Sequence, residues 1–254
     1  MELFRKSAGY RYLDVFVMAN VVELGTERFC TRFLTYRNDP GGRTFSQMTH
    51  AARSGCRNFA EGSERLMTSY ATAIELLDVA RASLCELRDD YNKRLMMQWQ
   101  APWPMKSAEA QRVYAVRLDP PDYGDDINRG TCLHVMTQCR KFEPGLESDD
   151  AVVRANTILI LISRTLNMMD KYIKNIGDEF KASGGFRERM SAVRSEARAD
   201  KDGMQEEGPV CPNCGSPTRL RKTRQGNKPF WGCADYPACR GIVDFQDAKT
   251  DGGR

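Results

Sequence analysis

Four cysteines near the C-terminus constrain this chain more than anything else in its 254 residues. Two residues separate Cys211 from Cys214, eighteen lie between Cys214 and Cys233, and five between Cys233 and Cys239. Four thiolates complete a tetrahedral zinc shell. Cys211-Pro212-Asn213-Cys214-Gly215 is a turn that presents two sulfurs from one knuckle, Gly215 supplying backbone freedom after the second. The plain alternative is four unligated core thiols; the paired spacing favours one structural Zn2+ held by Cys211, Cys214, Cys233 and Cys239. About forty residues bury too little apolar surface to fold unaided, so the metal is expected to supply much of the module's folding energy.

Around these ligands, Thr218 to Arg224 and Lys228 to Cys233 read as two strands across a Gln225-Gly226-Asn227 turn, and Gly241 to Phe245 as a third. The formal charge of the chain is +4, and the surplus lies here. Residues 208–246 carry six basic and two acidic side chains, whereas residues 1–182 carry 25 and 24. Arg219, Arg221, Lys222, Arg224 and Lys228 are interleaved with Phe230, Trp231 and Tyr236, the combination of cationic groove and stacking faces that suits single-stranded nucleic acid. In the competing reading, Phe230 and Trp231 form the module's own small core and the charges are merely solvated.

Cys211-Pro-Asn-Cys-Gly, Phe230-Trp-Gly-Cys233 and Tyr236-Pro-Ala-Cys239 resemble the C4 zinc finger at the C-terminus of bacterial type IA DNA topoisomerases. The resemblance covers about residues 209 to 245. It implies a DNA-binding zinc ribbon and does not imply topoisomerase activity, since the rest of the chain does not resemble that enzyme's catalytic core.

Upstream, four stretches repeat apolar residues at helical spacing: Leu13 to Leu24, Phe45 to Phe59 after the Asp39-Pro40-Gly41-Gly42 break, Tyr70 to Tyr91, and Val152 to Ile173. Thr68 or Ser69 is placed to cap the third, and Ser148 or Asp149 the fourth. Such helices bury their stripes by packing on one another, so the expected fold is mainly α, a four-helix bundle over 1–182. A long insertion over about 98–148, expected to hold short helices around Ala108 to Arg117 and Thr131 to Arg140, precedes the last helix. A charged linker over 183–207, the small zinc ribbon over 208–246 and a tail over 247–254 complete the organisation. The most apolar run, Ile158 to Ile162, is far short of the roughly 20 residues that cross a bilayer, so no membrane role is expected. Residues 1–10 lack an apolar secretory region, which makes the reducing cytoplasm the expected compartment and metal the expected use of clustered cysteines. Cys30, Cys56, Cys85 and Cys139 fall in or beside helical stripes and read as small apolar residues.

The second and third helices carry Asn58-Phe-Ala-Glu-Gly62 with Arg65, then Leu77-Asp-Val-Ala80 and Ala82-Ser-Leu-Cys-Glu-Leu87. These segments resemble the four-helix bundle proteins encoded in intervening sequences of bacterial 23S ribosomal RNA genes, relatives of the accessory proteins of diversity-generating retroelements. The resemblance implies a homo-oligomeric bundle with nucleic-acid or protein partners, RNA among them. Asn58, Glu61, Gly62 and Arg65 are its motif residues. Glu61 and Arg65 are read as bridging helices or capping free amides rather than touching a ligand, and Gly62 as ending the second helix. His50 and His134 are the only histidines, Cys132-x-His134 lacks a partner pair, and there is no phosphate-binding glycine loop or nucleophile elbow, so no catalytic residue is expected. The expectation is a non-enzymatic DNA-binding protein whose ribbon contacts single-stranded DNA and whose bundle mediates oligomerisation or partner binding. Its rival is an oligomeric scaffold or accessory protein whose ribbon is structural or contacts protein.

Overall fold

Side chains that accept free amides start most of the helices, though not those over Asp14–Phe33 and Glu143–Leu146. The computed structural model describes residues 9–183, 190–191, 193–195, 208–223 and 228–244. It is mainly helical, with a small three-stranded sheet near the C-terminus, and separates into two compact units, Met1–Arg189 and Met190–Arg254. After a short 3-10 turn, Gly9–Tyr12, the first unit contains α1 (Asp14–Phe33), α2 (Arg43–Arg65), α3 (Tyr70–Met96), α4 (Ala108–Tyr114), α5 (Ile127–Arg140), α6 (Glu143–Leu146) and α7 (Ala151–Ser183). The second contains β1 (Thr218–Lys222), β2 (Pro229–Cys233) and β3 (Ile242–Asp244). No helix among the described residues is long and apolar enough to cross a membrane.

The start of α2 comes from the Asp39 break. Gly42 takes a left-handed φ of 59°, and the Asp39 carboxylate accepts the N–H groups of Thr44 (3.1 Å) and Phe45 (2.9 Å). Those bonds, the one from Phe45 first, hold the Asp39 carboxyl below its ordinary pKa. Ser69 caps α3 by accepting from Thr72 N–H. At α7 the cap is Asp150, one residue later than expected: its carboxylate accepts Val152 N–H at 2.7 Å, while Ser148 Oγ accepts from Asp150 N–H.

Helix α1 packs on α2 and α7, and α3 on the same two. The α2–α3 contact is the most extensive of these, and small residues line it. A Cβ on Gly62 would lie 3.0 Å from the Ala73 carbonyl oxygen and 2.9 Å from Leu77 Cγ, and one on Gly55 would meet Leu84. Gly55 and Gly62 are seven residues apart, as are Ala73 and Ala80, so this small-residue seam repeats along two antiparallel helices. The core it closes contains Met18, Phe29, Phe59, Leu77, Leu84 and Tyr91, all at most 1% exposed.

The insertion is held by polar side chains of α7. Asn156 Oδ1 accepts Trp103 N–H at 2.6 Å, and the Arg164 guanidinium donates to the carbonyls of Val113 (3.2 Å) and Val116 (2.9 Å), free acceptors at the end of α4. Burial depresses the pKa of Arg164, whose charge also lies over the rings of Tyr114 and Phe142. Of the expected insertion helices, one ends at Tyr114 and the other begins at Ile127; the short α6 is additional. Helix α7 reaches Ser183, residues 190, 191 and 193–195 are helical, and the rest of the expected linker and the tail over 247–254 lie outside the described residues.

Candidate metal centre and ribbon face

Cys211 and Cys214 flank a knuckle in which Gly215 N–H bonds the Cys211 carbonyl (2.9 Å) and Cys211 N–H bonds that of Ser216 (2.8 Å). Gly215 has φ of +73°, the left-handed conformation that glycine adopts without strain. Cys233 ends β2, and Cys239 is placed by its N–H bond to the Asp235 carbonyl. The four Sγ atoms lie within 4.8 Å of one another, with Cys211 to Cys239 at 3.7 Å and Cys214 to Cys233 at 3.5 Å. A tetrahedron with metal–sulfur bonds of about 2.3 Å has sulfur–sulfur edges of about 3.8 Å, so the cluster has the dimensions to hold one metal ion. The distances also exceed the roughly 2.05 Å of a disulfide. Gly241 closes the cradle: a Cβ there would collide with Cys211 Sγ.

Hydrogen bonds split the thiols: Cys233, although the Asp235 amide lowers it, is pushed up to about 12 by burial and its neighbouring thiols, Cys239 is raised as well, and Cys214 is lowered. The Cys214 thiol is pushed down to about 6, first by a hydrogen bond with the Ser216 side chain and then by the Ser216 backbone amide. Asp235 N–H donates to Cys233 Sγ at 3.4 Å. Cys211 and Cys233 are buried, Cys239 half-buried and Cys214 exposed.

The sheet has order β1-β2-β3 and is antiparallel throughout. Its register pairs Arg219 with Gly232 and Arg221 with Phe230 on one side, and Gly232 with Ile242 and Phe230 with Asp244 on the other. These residues share one face, because partners directly opposite in a sheet point the same way. Leu220, Trp231 and Val243 share the opposite face with Thr218 and Cys233. Trp231 is 3% exposed, and Gly208 is seated so closely on its ring that a Cβ there would collide with it. The expected stacking role of Trp231 is therefore corrected: its indole is the module's core, as period-two alternation requires once Phe230 occupies the outer face.

The candidate contact residues accordingly divide. Arg219, Arg221 and half-buried Phe230 lie on the outer face, and the exposed Tyr236 ring stands 5.5 Å from the Arg221 guanidinium carbon. A Cβ on Gly232 would lie 3.1 Å from Arg221 Cδ and 3.3 Å from Phe230 Cε2, so this glycine lets both side chains lie across the strand. Lys222 is exposed but falls on the Trp231 side of the register, exposed Lys228 sits before β2, and Arg224 lies outside the described residues, as does the 225–227 turn. Sequence reasoning missed Gly232, Gly241 and the exposed Ile242; a strand glycine directly after two aromatic residues was the available signal for the first.

In the helical unit the motif residues all lie on α2. Asn58 Nδ2 donates to Ser54 Oγ (3.0 Å), which is 2.9 Å from Ser83 Oγ, a polar link between α2 and α3. Glu61 and Arg65 form an exposed pair at 3.6 Å within α2, and among the described residues neither bridges to another helix. Gly62 does not end the helix, which runs on to Arg65; it lies directly against Ala73 and Leu77 of α3. Cys30, Cys56 and Cys139 are buried and Cys85 half-buried. Comparison with protein-family models, curated proteins and solved structures finds no match to this chain.

Proposed function

We propose that this protein is a non-enzymatic, zinc-containing DNA-binding protein: the ribbon contacts single-stranded DNA, and the helices form a four-helix bundle that mediates self-association or partner binding. The observation that carries the reading is the outer face of the sheet. Arg221 is held between the Gly232 backbone and the Tyr236 ring, beside Arg219 and Phe230, with the module's core indole on the other side. Pre-positioned cations beside exposed rings attract phosphates and stack unpaired bases without sequence readout. Zinc is the metal that best suits four thiolates in a closed tetrahedron. The resemblance of residues 209–245 to topoisomerase zinc fingers supports DNA as the polymer, and that of the helices to ribosomal intervening-sequence proteins supports an assembling bundle. A homo-oligomer would present several ribbons to one strand and raise avidity without new contacts.

The test is binding of labelled single-stranded DNA, duplex DNA and RNA to the full chain and to Arg221→Gln. Single-stranded DNA bound best, with affinity falling about tenfold in the variant, supports the reading, a charge-assisted contact being worth about 1.5–3 kcal/mol. Binding indifferent to the variant favours the scaffold reading, in which the ribbon is structural. That reading draws on one observation here, the burial of Trp231.

A further inference from the structure

A cleft of about 540 Å3 opens in the helical unit between α1, α5, α6 and the start of α7. Arg28 and Arg32 line it from α1, Arg140 from α5 and Arg154 from α7. Arg154 is the unusual member, because its side chain is only 5% exposed. Its Nε is fixed by the Ser148 carbonyl (2.5 Å) and its guanidinium lies 5.3 Å from the Phe33 ring centroid, while Arg32 lies 5.9 Å from the same ring. Two guanidinium groups are thus gathered around one aromatic ring.

Three exposed carboxylates, Glu27, Glu143 and Glu147, line the cleft with the four arginines, so the cations are in excess by one. Glu147 accepts from Arg28 at 2.8 Å and reaches Arg154 only at 3.6 Å, beyond the 2.7–2.9 Å of a charge-assisted hydrogen bond. Arg32 pairs with Asp149, whose side chain is 88% exposed, and Arg140 pairs with no carboxylate among the described residues. Exposed ion pairs contribute little and are readily exchanged, whereas a buried guanidinium gains strongly from a short, planar contact to an oxyanion. The floor is apolar, with Leu146 at 1% and Cys139 at 4% exposure, and the volume suits a ligand of nucleotide size.

We propose that this cleft is a binding site for a phosphate-bearing anion, which displaces Glu147 and Asp149 from the arginines and is gripped by Arg28, Arg32 and Arg154. Glu147 is the internal competitor that occupies the arginine pair when no anion is bound. All of the cleft's lining residues belong to the helical unit.

The experiment is isothermal titration of the full chain with pyrophosphate in low-chloride buffer. Wild type binds with a Kd below about 10 mM, Arg32→Gln weakens binding about tenfold, Glu147→Gln tightens it about threefold, and the ribbon variant Arg221→Gln leaves it unchanged. Arg32 is half exposed, so its variant folds, and a melting curve confirms that. Displacement of pyrophosphate from the Arg221→Gln protein by a short oligonucleotide would identify the anion as a nucleic-acid phosphate; no displacement would identify a free phosphate compound. No binding, equal binding by Arg32→Gln and wild type, or loss of binding in Arg221→Gln would overturn the proposal.

Discussion

The Arg221 guanidinium carbon lies 5.5 Å from the centroid of the Tyr236 ring, and the stem of the same arginine lies over Gly232 on the adjacent strand. The ring and the glycine together fix a cation that would otherwise be mobile. Tyr236→Phe keeps a π-face and is expected to retain single-stranded DNA binding, whereas Tyr236→Leu weakens it by about 1–3 kcal/mol, the range of one base-stacking contact. Fluorescence anisotropy with a labelled oligonucleotide distinguishes them, and equal loss in both would assign the residue to folding instead.

Two glycines within helices are expected to respond to alanine with opposite sign. Gly177 in α7 has nothing within 4 Å of an added Cβ, so Gly177→Ala stabilises by up to about 1 kcal/mol through helix propensity. Gly62→Ala gains the same propensity but presses on the Ala73 carbonyl, a backbone atom that cannot rotate away. Overpacking costs of about 1–3 kcal/mol make the net change destabilising. Urea midpoints of the two variants check the sign.

Asp39 links helix capping to pH. Its folded-state pKa is depressed by the amides of Phe45 and Thr44, so the stability it contributes is present above the unfolded carboxyl value and is lost as pH falls through the folded value. The melting temperature of Asp39→Ala is therefore expected to lie below that of wild type at pH 7, and the gap to close as pH falls below the ordinary carboxyl range. A gap that persists in acid would show that the capping carboxylate is not the source.

Metal removal is expected to unfold the ribbon. Of the three tryptophans, Trp99 is 95% exposed, Trp103 is half-buried in the helical unit and Trp231 is 3% exposed in the ribbon, so a red shift of emission on treatment with a strong chelator reports on Trp231. One equivalent of Zn2+ restores the spectrum, and Cys214→Ser weakens that restoration because three thiolates leave the tetrahedron open. Acid acts in the same direction as the chelator, since protons compete for the sulfurs.

How legible the sequence is depends on whether a residue's role is local. The four ligands are readable because a knuckle and its spacing are local chemistry, and the long helices because their stripes repeat along one segment. The two-sided character of the ribbon is not: Phe230 and Trp231 are adjacent aromatics, alternation guarantees that they part, and only the third strand and Gly208 decide which is inside. Gly62 looks like a helix terminus because glycine is common there, yet its cause is a carbonyl on another helix. Asn156 and Arg164 read as ordinary polar positions of an amphipathic helix, while their function is to satisfy backbone groups of an insertion about fifty residues earlier in the chain.

The central claim is that the outer face of the ribbon grips single-stranded nucleic acid through its cations. It is tested most directly by the salt dependence of oligonucleotide binding, measured for wild type and for Arg219→Gln/Arg221→Gln. The account predicts a log–log slope of about −2 for wild type, as about three phosphate contacts require, and a slope shallower by about 1.4 in the double variant. A slope near zero, or one that the double variant leaves unchanged, would contradict it.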